Sequence, residues 1–292
     1  MRVTQSMLGS MLTADLQGIQ AQMLQVQQQM ASGRRILRPS DDPVGTENVL
    51  QWQNALDQNT QFQNNANDAT NWLQNTDSAL RSAVGLAQEV RNLAVSVSTA
   101  DLTSTEYTAI SKQVVALQAS LVEVANTKIG DHYLFNGDQT TTAPFTLTGS
   151  TVTFAGGSGN QLREVGPGLS IQANASGTAL MPLFTAITQI VADLGTPATA
   201  GNVTGADLGA LDTAMGTLTD TGGQVGANLQ QAQHAQGLLT DLGQSLQTLS
   251  GGTLGNDMAQ SVVRLQQLQV GYSSALAVGA RLMQPTLANF LK

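Results

Sequence analysis

Leu12-Thr13-Ala14-Asp15-Leu16-Gln17-Gly18-Ile19-Gln20-Ala21-Gln22-Met23-Leu24-Gln25-Val26-Gln27-Gln28-Gln29-Met30 sets apolar side chains at Leu12, Leu16, Ile19, Met23, Val26 and Met30, at spacings of 4, 3, 4, 3 and 4. That alternation is a heptad seam and predicts a helix over residues 5–31. Glutamines fill most of the positions between, and Gly18 interrupts them. With so few ion pairs the helix is weak alone, and its stability must come from burying the seam against another helix.

Ser32 and Gly33 break the pattern, and Arg34-Arg35-Ile36-Leu37-Arg38-Pro39 reads as extended chain. Ser40-Asp41-Asp42-Pro43 then reads as a helix start. Pro43 suits the first helical position, Asp42 the N-cap, and Asp41 places negative charge near the positive helix end. The next helix, 43–98, carries Trp52, Asn59, Ala66, Leu73, Leu80, Ala87 and Ala94 at every seventh position, with Phe62, Ala69, Thr76, Ala83, Val90 and Val97 as a second line. At 1.5 Å per residue it would be on the order of 80 Å long. Asp101, Thr103 or Ser104 caps a third helix through Tyr107, Ile110, Val114, Leu117, Leu121, Val124 and Lys128, ending near Ile129-Gly130.

From 131 the period changes. Asn136-Gly137-Asp138 is a turn signal, and Phe145-Thr146-Leu147 and Val152-Thr153-Phe154 alternate in period two, giving a solvent-facing β-rich insertion near 133–178. A short helix, 180–194, and a loop, 195–205, follow. Helical period returns at Leu208, Leu211, Met215 and Leu218 and continues through Leu239, Leu242, Leu246 and Leu249 until Gly251-Gly252 interrupts it. A last helix carries Met258, Leu265, Leu268, Tyr272, Ala275 and Gly279, with Pro285 as its end or a kink. The fold class is mainly α with a β-rich insertion: a long antiparallel helical rod whose N- and C-terminal helices pair as a coiled coil. Three parts are expected: terminal arms 1–42 with 253–292, a rod 43–131 with 206–252, and the insertion 132–205.

Composition narrows the function. The 292 residues carry 11% charged side chains against about 25% in a typical soluble domain, and the net charge is −8. Only three of the residues are lysine while 33 are glutamine, so the surface is polar without being ionic. Such a chain is a poor fit to nucleic acid, which needs clustered Lys and Arg. With no cysteine there is no disulfide, thiol nucleophile or thiolate metal site, and two distant histidines leave no metal cluster. No cofactor, no metal and no catalysis are expected. No unbroken run of 18 apolar residues exists, and the opening Met1–Leu8 lacks the apolar core of a cleaved secretory peptide. The first helix has an apolar face, but its polar face is Gln and Ser, which favours a partner helix over a membrane surface.

Candidate chemical sites are few. Asp41 and Asp42 could form an acid–base pair or a cation site, but their place at a helix start favours capping. His132 and His234 read as surface or interhelical hydrogen-bonding residues. Gly156-Gly157-Ser158-Gly159 lacks the Lys and Ser/Thr of a phosphate-binding loop and reads as a β-hairpin loop. Arg34, Arg35 and Arg38 form the basic cluster. Their partners are either carboxylates of neighbouring subunits or Asp41, Asp42 and Glu47 of the same bend.

The residues also carry a resemblance. Met1-Arg2-Val3-Thr4-Gln5-Ser6-Met7 resembles the opening of the hook–filament junction branch of the flagellin family. Ala31-Ser32-Gly33-Arg34-Arg35-Ile36 with Arg38-Pro39-Ser40-Asp41-Asp42-Pro43 resembles the bend motif of that family, and Asn65, Asp77, Ala79 and Leu80 fit it. Tyr133-Leu134-Phe135-Asn136-Gly137 resembles its junction-type segment. Toward the C-terminus Leu211, Asp212, Gly226, Gln266–Tyr272 and Pro285–Leu291 are familial, while the arginine expected before Gly226 is missing. The resemblance implies a secreted, extracellular subunit of the bacterial flagellum, exported unfolded by the flagellar type III route. Its implied partners are a ring of its own copies, the first hook-associated protein, flagellin and an export chaperone. Leu12, Leu16, Ile19, Met23, Val26, Leu265, Leu268, Tyr272 and Leu276 are the expected assembly interface, and Ser32, Gly33, Arg34, Arg35, Ile36, Pro39, Ser40, Asp41, Asp42 and Pro43 the bend. Filament flagellin itself, or a surface adhesin built on the insertion, are the alternatives.

Overall fold

The computed structural model describes residues 5–99, 102–139, 141–195, 199, 202–203 and 205–283. The opening Met1–Thr4, Pro285 and the stretch to Leu291 lie outside them, as does part of the 195–205 loop. The chain is mostly helical: α1 (Gln5–Ser32), α2 (Pro43–Thr99), α3 (Ser104–Ala125), α4 (Met181–Leu194), α5 (Ala206–Leu254) and α6 (Met258–Met283). Between α3 and α4 run β1 (Lys128–Ile129), β2 (His132–Tyr133), β3 (Phe145–Thr148), β4 (Thr151–Phe154), β5 (Leu162–Gly166) and β6 (Leu169–Gln172). Contacts divide the chain into two compact units, 1–58 with 243–292 and 59–242.

The 59–242 unit is built on the heptads of α2. Asn59, Ala66, Leu73, Leu80, Ala87 and Ala94 are buried, and so are Ala69, Thr76, Ala83, Val90 and Val97. Five of these eleven are alanines on one helix, so neighbouring backbones can approach closely. α5 runs beside α2 in the opposite direction. Asn59 Nδ2 donates to Leu239 O at 2.9 Å, Gln236 Nε2 to Asn67 Oδ1 at 2.6 Å, and Arg91 Nε to Asp212 Oδ1 at 2.6 Å. On α5 the buried line is Leu211, Leu218, Val225, Ala232, Leu239 and Leu246, every seventh residue. Leu242 and Leu249, expected on that seam, are about half exposed, although the same second line, offset by three, is buried earlier at Ala214 and Ala235. Gly251-Gly252 does not end α5 as expected; the helix continues to Leu254, and Gly255 N–H closes on Gly251 O at 2.7 Å.

Thr103 starts α3 through a capping box in which Glu106 Oε2 accepts from both Thr103 N and Thr103 Oγ1 at 2.7 Å. α3 stops at Ala125, earlier than the expected Ile129-Gly130. Asn126 is its C-cap, and its side chain is claimed by the backbone of Phe145: Nδ2 donates to Phe145 O at 2.8 Å and Oδ1 accepts from Phe145 N at 3.1 Å. Lys128–Ile129 then pair with His132–Tyr133 around Gly130 at φ 58°.

The insertion is three separate two-stranded hairpins. β3 pairs β4 in register Phe145↔Phe154, and β5 pairs β6 with a bulge between Glu164 and Gly166. A two-stranded ribbon is marginal in water unless a face packs on something larger. Here Phe145 stands 5.0 Å from Phe154 and 5.3 Å from Phe184 of α4, ring centre to ring centre, and Gln118 of α3 donates to Ser150 O at 2.9 Å. One face of the insertion is packed: Phe145, Val152, Val165 and Ile171 are buried in the core that holds α2 and α5, while Thr146, Thr148, Thr151 and Thr153 between them stay exposed. The window Gly177–Leu194 has the length and hydropathy of a membrane span, but half of it is buried, with Leu183, Phe184, Ile187 and Ile190 turned into that same core.

Gly156–Gly159 is not a hairpin loop; it links β4 to β5, which belong to different hairpins. A Cβ on Gly156 would lie 2.5 Å from Asn136 Oδ1, and one on Gly159 2.8 Å from Asp138 Cγ. The glycines are needed because the Asn136-Gly137-Asp138 turn lies directly on their backbone.

Candidate assembly surface

The unit formed by 1–58 with 243–292 holds both chain-terminal helices and the bend. α6 packs against α1 in the opposite direction. Leu12 meets Gly279, Gln20 Nε2 donates to Tyr272 Oη at 2.8 Å, and Gly33 O accepts from Asn256 N at 3.0 Å. Leu12, Leu16, Ile19, Met23, Val26 and Met30 are the half-buried or buried positions of α1 facing this contact. On α6 the matching set is Ser261, Leu265, Leu268, Tyr272, Ala275 and Gly279, spaced 4, 3, 4, 3 and 4. Two helices with the same alternation can mesh over their whole length.

Eight of the nine residues read as the interface thus lie in this intrachain seam; Leu276 stays exposed. Sequence reading missed a second set. Met7, Met11 and Leu24 on α1, and Val262, Val263, Val270 and Val278 on α6, point outward as Leu276 does, Val270 at 65% exposure. Their signal was available, since apolar residues off the heptad positions of a Gln-rich helix have no partner inside a two-helix pair.

The bend is a folded joint. Gly33 takes φ 67°, which a residue with a Cβ rarely adopts, and turns the chain out of α1. Arg34 bridges Gly255, and Arg35 N donates to Leu254 O at 2.7 Å. Arg35 Nη2 reaches Asp42 Oδ2 at 2.9 Å and Thr253 O at 3.2 Å. Asp41 Oδ2 accepts from Leu37 N at 3.1 Å and Arg38 N at 2.9 Å, while Asp42 Oδ1 caps α2 through Gly45 N at 2.8 Å. The Gly45 N–H first, and the Arg35 guanidinium second, hold the Asp42 carboxyl below its ordinary range. Ile36 is buried beneath, where a Cβ on Gly45 would come within 2.8 Å of its Cδ1. Asp257 caps α6 by accepting from Ala259 N at 2.9 Å and Gln260 N at 3.1 Å.

Both aspartates therefore act as caps and turn formers. The choice left open for the basic cluster divides: Arg35 pairs within the bend, whereas Arg34 and Arg38 are exposed and make no ion pair among the described residues. Ser32, Pro39, Ser40 and Pro43 lie on the exposed side of the joint. No group of three His, Cys, Asp or Glu residues able to hold a metal occurs among the described residues.

Residues 3–140 match the family described as the bacterial flagellin N-terminal helical region. The chain is similar to flagellar hook-associated protein 3 of Escherichia coli (strain K12), 29% identical over 127 residues, or 43% of this chain and 40% of the relative. The chain thus aligns with less than half the length of that curated relative. Its fold is similar to that of FlgL from Xanthomonas campestris, with a TM-score of 0.62 and 18% identity over 67% of this chain and 98% of the other. It is also similar to the flagellar junction protein FlgL from Legionella pneumophila, with a TM-score of 0.60 and 16% identity over 73% of this chain and all of the other. The resemblance of the sequence to the junction branch of the flagellin family stands.

Proposed function

We propose that this chain is a structural subunit of the bacterial flagellum that joins hook-associated protein to filament by helix packing of its two ends. The observation that carries the reading is the outer face of the α1–α6 pair. It presents Met7, Met11, Leu24, Val262, Val263, Val270, Leu276 and Val278 to solvent, more apolar surface than a monomeric helix pair keeps without a use. In this reading Leu12, Leu16, Ile19, Met23, Val26, Leu265, Leu268 and Tyr272 hold the arms together as a coiled coil. Leu276 and the other exposed residues then contact neighbouring copies. Arms 1–42 with 253–292 enter the tube wall, the helices of 43–131 with 206–252 form the rod outside it, and 132–205 faces outward.

The subunit works mechanically, outside the cell, with no catalytic step. Its partners are a ring of identical copies, the first hook-associated protein on one side and flagellin on the other, with an export chaperone beforehand. Exposed Arg34 and Arg38 are available to carboxylates of the next copy. Deleting the gene in a motile strain and restoring it tests the proposal. The expected result is cells with hooks but no filaments, rescued by the full chain. Normal filaments after deletion would overturn the reading and favour an adhesin.

A further inference from the structure

Asn136-Gly137 is the one Asn-Gly step in the sequence, and no other asparagine precedes Gly or Ser. In an unfolded chain it is the least durable asparagine. Glycine has no side chain to keep its backbone nitrogen away from the preceding side-chain carbonyl. The fold puts both residues out of reach of water: Asn136 is 0% exposed, and Gly137 is buried beside it at φ 57°.

Asn136 is also a junction. Its backbone carbonyl accepts from Gln139 N at 3.1 Å and Gly157 N at 3.3 Å, and the residue bridges Ser176. Its side-chain Nδ2 donates to the backbone carbonyls of Gln139 and Thr142. Both of those neighbours can only accept, which fixes the amide with its nitrogen toward them. Gly137 O is held in turn by Gln161 Nε2 at 2.6 Å. Segments near 139–142, 157–161 and 176 therefore meet on one side chain and one turn.

We infer that Asn136 is a modification site that the fold closes: it deamidates in the unfolded chain, is protected in the native one, and once converted prevents this turn from forming again. The Gly137 backbone nitrogen, after losing its proton to solvent base, attacks Cγ of Asn136. The new N–Cγ bond closes a five-membered imide as the Cγ–Nδ2 bond breaks, and ammonia leaves with a proton taken from water. Water then opens the imide at either carbonyl, giving aspartate or isoaspartate. Water enters and ammonia departs, with no change of oxidation state. In the native chain the buried Gly137 nitrogen is shielded from base. Aspartate replaces the donor by a carboxylate facing the carbonyls of Gln139 and Thr142, a buried charge among acceptors. Isoaspartate adds a backbone carbon to a turn whose Gly137 already lies on the backbone of Gly157.

The test incubates the full chain in mildly alkaline buffer with and without concentrated urea and follows each asparagine by peptide mass spectrometry. In urea, Asn136 is expected to convert ahead of every other asparagine. In native buffer its conversion is expected to be more than about tenfold slower, because attack must wait for the turn to open. Gly137→Ala in urea should slow the conversion, since a methyl group hinders the nitrogen. After urea is removed, converted chains should lack amide protection in β3–β6 that unconverted chains regain, and Asn136→Asp, made directly, should show the same loss. Equal conversion rates in the two buffers would overturn the inference. So would converted chains, or Asn136→Asp, that recover the parent's protection in β3–β6.

Discussion

A Leu12 methyl of α1 occupies the space that a Cβ on Gly279 of α6 would need. α1 and α6 pack closely there, because Gly279 leaves room for the Leu12 side chain. Gly279→Val crowds the Leu12 side chain and is expected to weaken the α1–α6 contact at that end. Gly18, with open space around it, gives the opposite result. Gly18→Ala raises helix stability by about 1 kcal/mol through propensity alone. Thermal unfolding followed by circular dichroism distinguishes them: the first variant melts earlier than the parent and the second later.

The bend gives a prediction for the dependence of stability on pH. Asp42 is held below its ordinary value of 3.8 by Gly45 N–H and then Arg35. A depressed carboxyl contributes stability that is present above the unfolded value and lost as pH falls through the lower folded value. Acidification below pH 4 therefore frays the start of α2 in the parent chain. Asp42→Ala has this defect already at neutral pH, where amide exchange at Gly45 and Thr46 is expected to be faster than in the parent.

The helical part of this fold was legible because heptads are local. Most buried positions of α2 fall on the two lines read from sequence, although Val49, Thr70, Trp72 and Ala79 are buried off them and Trp52 and Phe62 on them are only partly buried. α1 begins and ends within a residue of its expected range. The misses share a cause. The end of α3 depends on Asn126 binding Phe145, 19 positions later, and no local signal announces it. Gly251-Gly252 was read as a break by propensity, yet α5 runs through it, the tertiary frame outweighing a local cost of about 1 kcal/mol per glycine. At the surface, the pairing of the terminal helices was read, and eight of the nine residues named for the interface lie in the seam that α1 and α6 share, but most of the outward apolar set was not.

Two glycine substitutions separate backbone strain from crowding. Gly149 and Gly137 both have positive φ, 67° and 57°, but only Gly137 lies against the backbone of Gly157. Gly149→Ala should cost about 1–2 kcal/mol for the left-handed conformation. Gly137→Ala should cost more, because the loop from Gly156 to Gly159 must also move. Equilibrium urea unfolding of the two variants measures the difference.

The hairpin core makes a further prediction. Phe184 is buried with Phe145 and links α4 to the β3–β4 ribbon. Phe184→Ala should destabilise the 59–242 unit by about 3–5 kcal/mol, leaving a cavity that the helices around it close only partly. Loss of protection in β3 and β4 by hydrogen exchange, with α1 and α6 unchanged, is the expected pattern.

Co-sedimentation of the full chain with polymerising flagellin tests the central claim most directly, using Val270→Glu on the exposed face of α6 and Leu268→Glu in the seam. The account predicts that Leu268→Glu weakens the α1–α6 pair, leaves the 59–242 unit folded and abolishes incorporation. Val270→Glu should keep the parent helix content and still fail to enter the filament. Incorporation of Val270→Glu at the parent level would contradict the claim that this outer face is where one subunit meets the next.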